Sequence, residues 1–338
     1  MPAIIGQYVD QIMTTELRPL GNMPRGVAHK LYDAVRRRTG TPLSTAMAEG
    51  IVNRVTAGDT VLILCGAGGP PTLPTGEIDG LLGAVALARV LALGLRAEVH
   101  LASVERFMEP LTQVVRAGEL NVRLGPEDHR PGSITLHISP EDDDLGREFS
   151  GRILDELQPA LVLAIELLSP NRAGIIHGAT GLPWHDVHFD SAVLFKLAQS
   201  RGILTCGIGD AGNEAGFGSV PEVGTIQPQG SVCRCPCGAG MASAVATDLV
   251  LSAAISDWGG YAVTALIAYL IRRPDLIADP DYVENLLRAA VRSGAVCGWY
   301  ARPTLSDDGV PLVAQRAAAT LMQTAVTQAL LQADSPSH

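Results

Sequence analysis

The sequence predicts an α/β protein: a doubly wound, mostly parallel sheet of about six strands, with helices on both faces and helical flanks at the N- and C-terminal ends. Three observations carry that prediction. From residue 59 onward, short β-branched or Leu-rich runs alternate with longer stretches of helical periodicity, the pattern of repeated strand–helix–strand units. Hydrophobic residues make up 47 % of the chain and aromatics only 4 %, so the core is built from Ala, Val, Leu and Ile, which suits a parallel sheet covered by helices. At 338 residues the chain is long enough to bury a large core.

Residues 2–55 read as two or three helices, with Pro24 and Pro42 marking starts or breaks. The first strand, Thr60–Cys65, leads into a helix over Asp79–Leu93, and Ala97–Leu101 leads into Val104–Ala117. Ile134–Ile138 precedes a helix over Asp144–Leu157, and Ala160–Ile165 precedes one over Asp190–Ser200 after a long loop. Ile203–Gly207 and Leu249–Ile255 complete the strands, and Tyr261–Arg272 and Tyr282–Ser293 read as helices. Ala314–Leu331 alone is long enough for about five helical turns. This organisation divides the chain into a helical segment, 1–58, packed on a main α/β domain, 59–331, and a polar disordered tail, 332–338.

The net charge of −10 and the scatter of Lys and Arg, apart from Arg36–Arg37–Arg38, leave no nucleic-acid footprint. Arg89 and Asp257 interrupt the longest apolar stretches before they reach the ~18 residues of a membrane helix. The opening MPAIIGQYVDQIM has neither a basic region nor a cleavable apolar core, so a cytoplasmic protein acting on a small molecule is expected, and homo-oligomerisation is compatible with the sequence. The six cysteines, spread through a large chain, read as reduced thiols.

In open α/β sheets ligands bind beyond the carboxyl ends of the strands, and the polar, glycine-rich segments of this chain fall there. After the fifth strand, GIGDAGNEAGFGS places Asp210, Asn213 and Glu214 on a support in which Gly209 and Gly212 permit close backbone approach and N–H groups can face an anion. After the fourth, Arg172 offers a planar fork for a substrate carboxylate, and His177, His185 and His188 follow. These histidines lack the i, i+4 spacing of a zincin helix. After the first strand, three prolines and about ten residues separate the glycine turn from its helix, which argues against dinucleotide binding. Asp79 reads there either as a helix cap or as a site residue. Ser256, Asp257 and Trp258, at the end of the last strand, face the same crevice. Cys233-Arg-Cys-Pro-Cys237 lacks both the wider paired spacing and the downstream cysteine pair of a structural zinc site, which argues against metal there.

Four segments, TGEIDGLLGAVALARVL, GIGDAGNEAGFG, AISDWGGYAV and GAVCGWYARPTLSDDGVPL, together resemble the C-terminal domain of D-glutamate cyclase. The resemblance places a Glu-x-Asp-Gly step on Glu77, Asp79 and Gly80, and a Gly-Ile-Gly-Asp-Gly-Gly-Asn-Glu step on Gly207–Glu214, with Ala211 in place of a glycine. Asp257 stands where an amide is expected in Ser-Asn-Trp-Gly, Asn171 where a glutamate precedes Arg172, and Cys297 where an acid is expected, while Asp308 and Gly309 are retained.

The activity implied is that of a lyase closing D-glutamate to 5-oxo-D-proline with loss of water. Read against that reaction, Glu214 or Asp210 would be the base, the 207–212 turn the oxyanion donor, Arg172 the clamp on the α-carboxylate and His177 the acid. Asp79, Asp210 and Glu214 offer the oxygen ligands that Mg²⁺ or Mn²⁺ prefers, while no cofactor is required by the sequence. Another lyase or amidohydrolase acting on a small amino acid or cyclic amide, and a non-catalytic small-molecule sensor, are the alternatives.

Overall fold

The computed structural model describes residues 2–19, 25–128 and 130–334, so Pro24 and residues 335–338 lie outside it. Three helices, α1 (Pro2–Met13), α2 (Val27–Thr39) and α3 (Leu43–Arg54), precede β1 (Thr60–Cys65). The chain continues through α4 (Leu81–Arg89), extended by a π-helical stretch at Val90–Leu95, then β2 (Glu98–Val104), α5 (Met108–Ala117), β3 (Asn121–Val122), β4 (Ser133–Ser139), α6 (Asp143–Leu157) and β5 (Leu161–Ile165). It then runs through α7 (Ala192–Ser200), β6 (Leu204–Gly209), the single turn α8 (Val223–Ile226), β7 (Leu249–Ser252), α9 (Ser256–Leu270) and α10 (Pro280–Arg292). A small antiparallel pair, β8 (Ser306–Asp307) and β9 (Val310–Pro311), feeds the long α11 (Leu312–Asp334).

Seven strands form one sheet in the order β3-β4-β2-β1-β5-β6-β7, every pairing parallel. The chain therefore enters at the centre, winds outward through β2 and β4, returns to β5 beside β1, and winds outward the other way. That reversal opens a crevice between β1 and β5 at their carboxyl ends, where a doubly wound sheet holds its ligand.

Alternate residues of the central strands serve two cores, as the period of a strand dictates. Val61, Ile63 and Cys65 face α4 and α9, whereas Leu62, Leu64, Val162 and Ala164 face α6 and α7. Among the N-terminal helices, buried Asp10 accepts N–H of Leu43 at 2.6 Å and the Tyr32 hydroxyl at 2.8 Å, so a carboxylate of α1 caps α3 and holds α2. No helix among the described residues is long and apolar enough to cross a membrane.

Two expectations need correction. The edge strand β3 went unread because two residues carry no periodicity. Helix α9 begins at Ser256, five residues before the predicted start, because Gly259 and Gly260 serve close packing and not helix initiation. A Cβ at Gly260 would lie 2.7 Å from the Cα of Gly83, and one at Gly259 2.7 Å from Ile208 and Leu251. The two helices next to the crevice, α4 and α9, thus approach through glycine, and that approach brings their N-termini together.

Candidate active site

At the β1/β5 crevice lies a cavity of about 340 Å³ whose polar wall is made by Arg18, Glu77, Glu166, Asp210, Asn213 and Asp308. Leu73, Trp184 and Trp299 form part of its apolar wall. The polar groups come from five connections: Arg18 follows α1, Glu77 precedes α4, Glu166 follows β5, Asp210 and Asn213 follow β6, and Asp308 sits in the β8–β9 turn.

The glycine-rich turn is organised around Glu214 and is not an open anion nest. Its carboxylate is fully buried and accepts N–H of Asp210 at 3.1 Å, Ala211 at 2.9 Å and Gly212 at 2.7 Å. Gly209 is required beside it, since a Cβ there would lie 2.7 Å from the Glu214 carboxyl carbon. The N–H groups of 210–212 are therefore occupied by Glu214, which leaves those three groups unavailable to an oxyanion. Gly212 has φ +94° and its Cβ position is filled by Val223, so its glycine serves the turn itself.

Asp79 and Asp257 do reciprocal work. Asp79 accepts N–H of Ser256 at 3.0 Å and of Asp257 at 2.7 Å, capping α9, while Asp257 accepts N–H of Gly80 at 2.9 Å and of Gly83 at 2.6 Å, capping α4. The sequence reading foresaw a cap at Asp79, but on its own helix. An aspartate can take the amide's place at 257 because the role uses only an acceptor oxygen. The second oxygen of Asp257 faces Asp307, and burial together with Asp79 raises Asp257 well above the usual carboxylate range, as burial and Asp79 do for Asp307. Trp258 turns away from the crevice into the core, where its indole N–H donates to Gln315 at 2.6 Å. Ser256 donates its hydroxyl to Glu166 at 2.5 Å and so orients a cavity carboxyl.

The sign of the cavity is acidic, with Arg18 the cation among its lining residues. Its guanidinium lies 2.8 Å from Asp210 Oδ2 and 2.9 Å from Asp308 Oδ2, and also donates to the Ala254 carbonyl. Burial disfavours the charge on Arg18, but Asp210, Asp308, Asp79 and Glu166 outweigh it and raise its pKa. Burial raises Glu77 and Glu166 well above the ordinary glutamate range, helped at Glu77 by Asp308 and Asp79 and at Glu166 by Asp210 and Glu214. Burial and Asp308 push Asp79 up to about 7. Asp210 is also raised by burial, although Arg18 pulls it back down. Such a cluster titrates as a unit and holds neutral and ionised carboxyls side by side. Glu166 and Asp308 adopt left-handed backbone, with φ of 46° at both, an unusual conformation for residues with a Cβ and one that aims their side chains at the cavity.

Of the residues singled out from sequence, Glu77, Asp210 and Asn213 line the cavity, and Asp79, Glu214, Ser256, Asp257, Gly209 and Gly212 support it from behind. Arg172 is exposed and is not among the lining residues. His177 is buried, but its ring meets Cys235 at 3.1 Å and not the carboxyls. The cation of the site is Arg18, which the sequence reading passed over because it lies in the N-terminal flank, far from any strand end. Cys297, in place of the expected acid, still accepts N–H of Gly309 at 3.2 Å and so steadies the Asp308 turn.

The candidate carboxylate ligands fall into three overlapping groups, one of them Asp79, Asp257 and Asp307. Oxygens of Asp79, Asp210 and Asp308 lie within 4.8 Å of one another, as do those of Glu166, Asp210 and Glu214.

Comparison with known proteins gives one assignment. The family described as D-glutamate cyclase-like, C-terminal, matches residues 12–323, and the chain belongs to it. No curated protein matches the chain.

Proposed function

We propose that this family member is an enzyme that closes D-glutamate, or a close analogue, to 5-oxo-D-proline with loss of water. The observation that carries the reading is a cavity of amino-acid size in which one buried guanidinium faces carboxyls held above their normal pKa. Arg18 would take a substrate carboxylate, and the ionised members of the carboxyl cluster would take the ammonium.

Ring closure requires the ammonium to lose a proton, its nitrogen to bond the γ-carboxyl carbon, and a carbon–oxygen bond to break as water departs. Asp210, raised by burial but paired with Arg18 at 2.8 Å, is the member placed to accept the ammonium proton. Glu77 and Glu166, whose carboxyls burial raises well above the ordinary glutamate range, suit delivery of a proton to the departing oxygen. Nitrogen gives up two protons in all, one before it attacks and one after the carbon–nitrogen bond forms, and the departing oxygen takes up two to leave as water, so the cluster returns to its starting charge. Because Glu214 occupies the backbone N–H groups of the turn, charge on the tetrahedral oxygen falls to Arg18.

A divalent cation is a proposal of its own. Asp79, Asp210 and Asp308 would hold Mg²⁺ or Mn²⁺, whose preference is for carboxylate oxygen. The fit rests on the convergence of three carboxylates against the single charge of Arg18. Bound there, the ion would polarise a substrate carboxyl.

The test is incubation of the purified protein with D- and L-glutamate, with Mn²⁺ and with EDTA, following 5-oxoproline by chiral chromatography. Product from the D isomer supports the reading. No product from either isomer, in protein shown to be folded, overturns it.

A further inference from the structure

We propose that Cys233, Cys235, Cys237 and His177 bind a single structural zinc ion. The four residues come from two loops that a linear motif cannot connect: His177 lies in the connection after β5 and the cysteines lie between α8 and β7. Their ligand atoms all lie within 4.8 Å of one another.

The distances are those of a coordination shell. Cys233 Sγ lies 3.5 Å from Cys235 Sγ and 3.4 Å from Cys237 Sγ, while His177 Nε2 lies 3.1 Å from Cys235 Sγ and 3.8 Å from Cys237 Sγ. A tetrahedron with zinc–sulfur bonds of about 2.3 Å and zinc–nitrogen bonds of about 2.0 Å has edges of roughly 3.8 Å between sulfurs and 3.6 Å between sulfur and nitrogen. The thiols are not disulfide-bonded. A polynuclear cluster would hold its ligands further apart, and three sulfurs with one imidazole nitrogen suit zinc better than a hard cation.

The surroundings are built for ligation. The His177 ring nitrogen Nδ1 is 3.0 Å from the Ile175 carbonyl, and a proton on Nδ1 leaves Nε2 as the free donor to metal. Asn171, where the family pattern has an acid, donates to the Gly240 carbonyl at 2.6 Å and accepts N–H of Ala173 and Ile175, holding one loop to the other. With four protein ligands no coordination position is left open, so the ion is structural.

Its position gives it a task. The carbonyl of His177 accepts from Asn213 at 2.8 Å, and Gly178–Thr180, which follow it, line the large cavity. The ion would thus pin a wall of that cavity to the β6 turn.

The experiment is metal analysis of the native full chain purified without chelator. About one zinc per chain is expected, with occupancy lowered at least about tenfold in Cys235→Ser and in His177→Gln, and unchanged in Cys65→Ala. Exchange with cobalt keeps the test independent of whether those variants fold: wild type should show the intense visible bands of tetrahedral cobalt with thiolate-to-metal charge transfer. Folded wild-type protein that holds iron in place of zinc, or that takes up neither zinc nor cobalt at these thiols after reduction, overturns the proposal.

Discussion

Replacing Arg18 by Met removes the cation of the cavity while keeping an unbranched side chain of comparable length. The guanidinium lies 2.8 Å from Asp210 and 2.9 Å from Asp308, with 11 % of its side chain exposed. At an effective dielectric near 20, each pair at about 3 Å is worth roughly 5 kcal/mol of attraction, opposed by several kcal/mol for desolvating the ions. Stranding the carboxylates should therefore cost about 3–5 kcal/mol at pH 8.

Asp210 can escape by binding a proton, and without Arg18 its folded pKa rises further above the unfolded value. A carboxyl raised in the folded state contributes stability below its unfolded pKa and loses it as pH rises through the folded one. The cost of the substitution should accordingly shrink on acidification, by up to about 1.4 kcal/mol per pH unit while one proton is taken up. Urea unfolding at pH 8 and pH 6 measures this, with D-glutamate turnover measured in parallel. Combining Arg18→Met with Asp210→Asn and Asp308→Asn should recover much of the stability without recovering turnover. A loss under about 1 kcal/mol, or one equal at both pH values, would refute the electrostatic account.

Further substitutions separate scaffold from chemistry. Glu166→Gln keeps an acceptor for Ser256 and should lower turnover by at least about a hundredfold with a melting temperature near wild type; unchanged turnover would remove Glu166 from the mechanism. Gly209→Ala should destabilise by about 2 kcal/mol or more, read by denaturant unfolding, because the added carbon must displace the buried Glu214 carboxyl; a neutral result would contradict the packing of the turn. A double-mutant cycle on Asp79→Asn and Asp257→Asn should show coupling of about 0.5–3 kcal/mol, whereas simple additivity would mean that the two caps act independently. Burial drives His188 down to about 3, so its neutral form supports folding above pH 6.5 and that support is lost as pH falls. Unfolding in urea should show about 2 kcal/mol lost between pH 7 and pH 5 from this residue, a loss absent in His188→Gln.

The central strands were legible because they are continuous apolar runs, and β1 falls on Thr60–Cys65 as read. The crevice was legible because glycine and acid cluster at strand ends. What local pattern could not reveal was partnership across the chain. Glu214 and Asp210 look alike within five residues, yet one accepts three backbone N–H groups and the other faces the cavity, a difference set by how the turn folds back. Arg18 and Asp308 meet across 290 residues, and His177 meets cysteines some sixty residues away, so no spacing rule joins them.

The site spends its carboxyls in two ways, and this division bears on how its acidity is maintained. Glu214, Asp79 and Asp257 neutralise helix and turn N–H groups, which fixes where the β6 turn and the starts of α4 and α9 stand. Glu77, Glu166, Asp210 and Asp308 then project from those fixed supports into a space that one guanidinium only partly neutralises. In a cavity so charged, burial raises Glu77 and Glu166 well above the ordinary glutamate range. On the proposed reading, the acid that expels the departing oxygen follows first from burial of these carboxyls and then from the acids crowded beside them. A substitution that adds a second positive charge to the wall should lower the pKa of Glu77 and Glu166 and so weaken the acid even where every contact to substrate is retained.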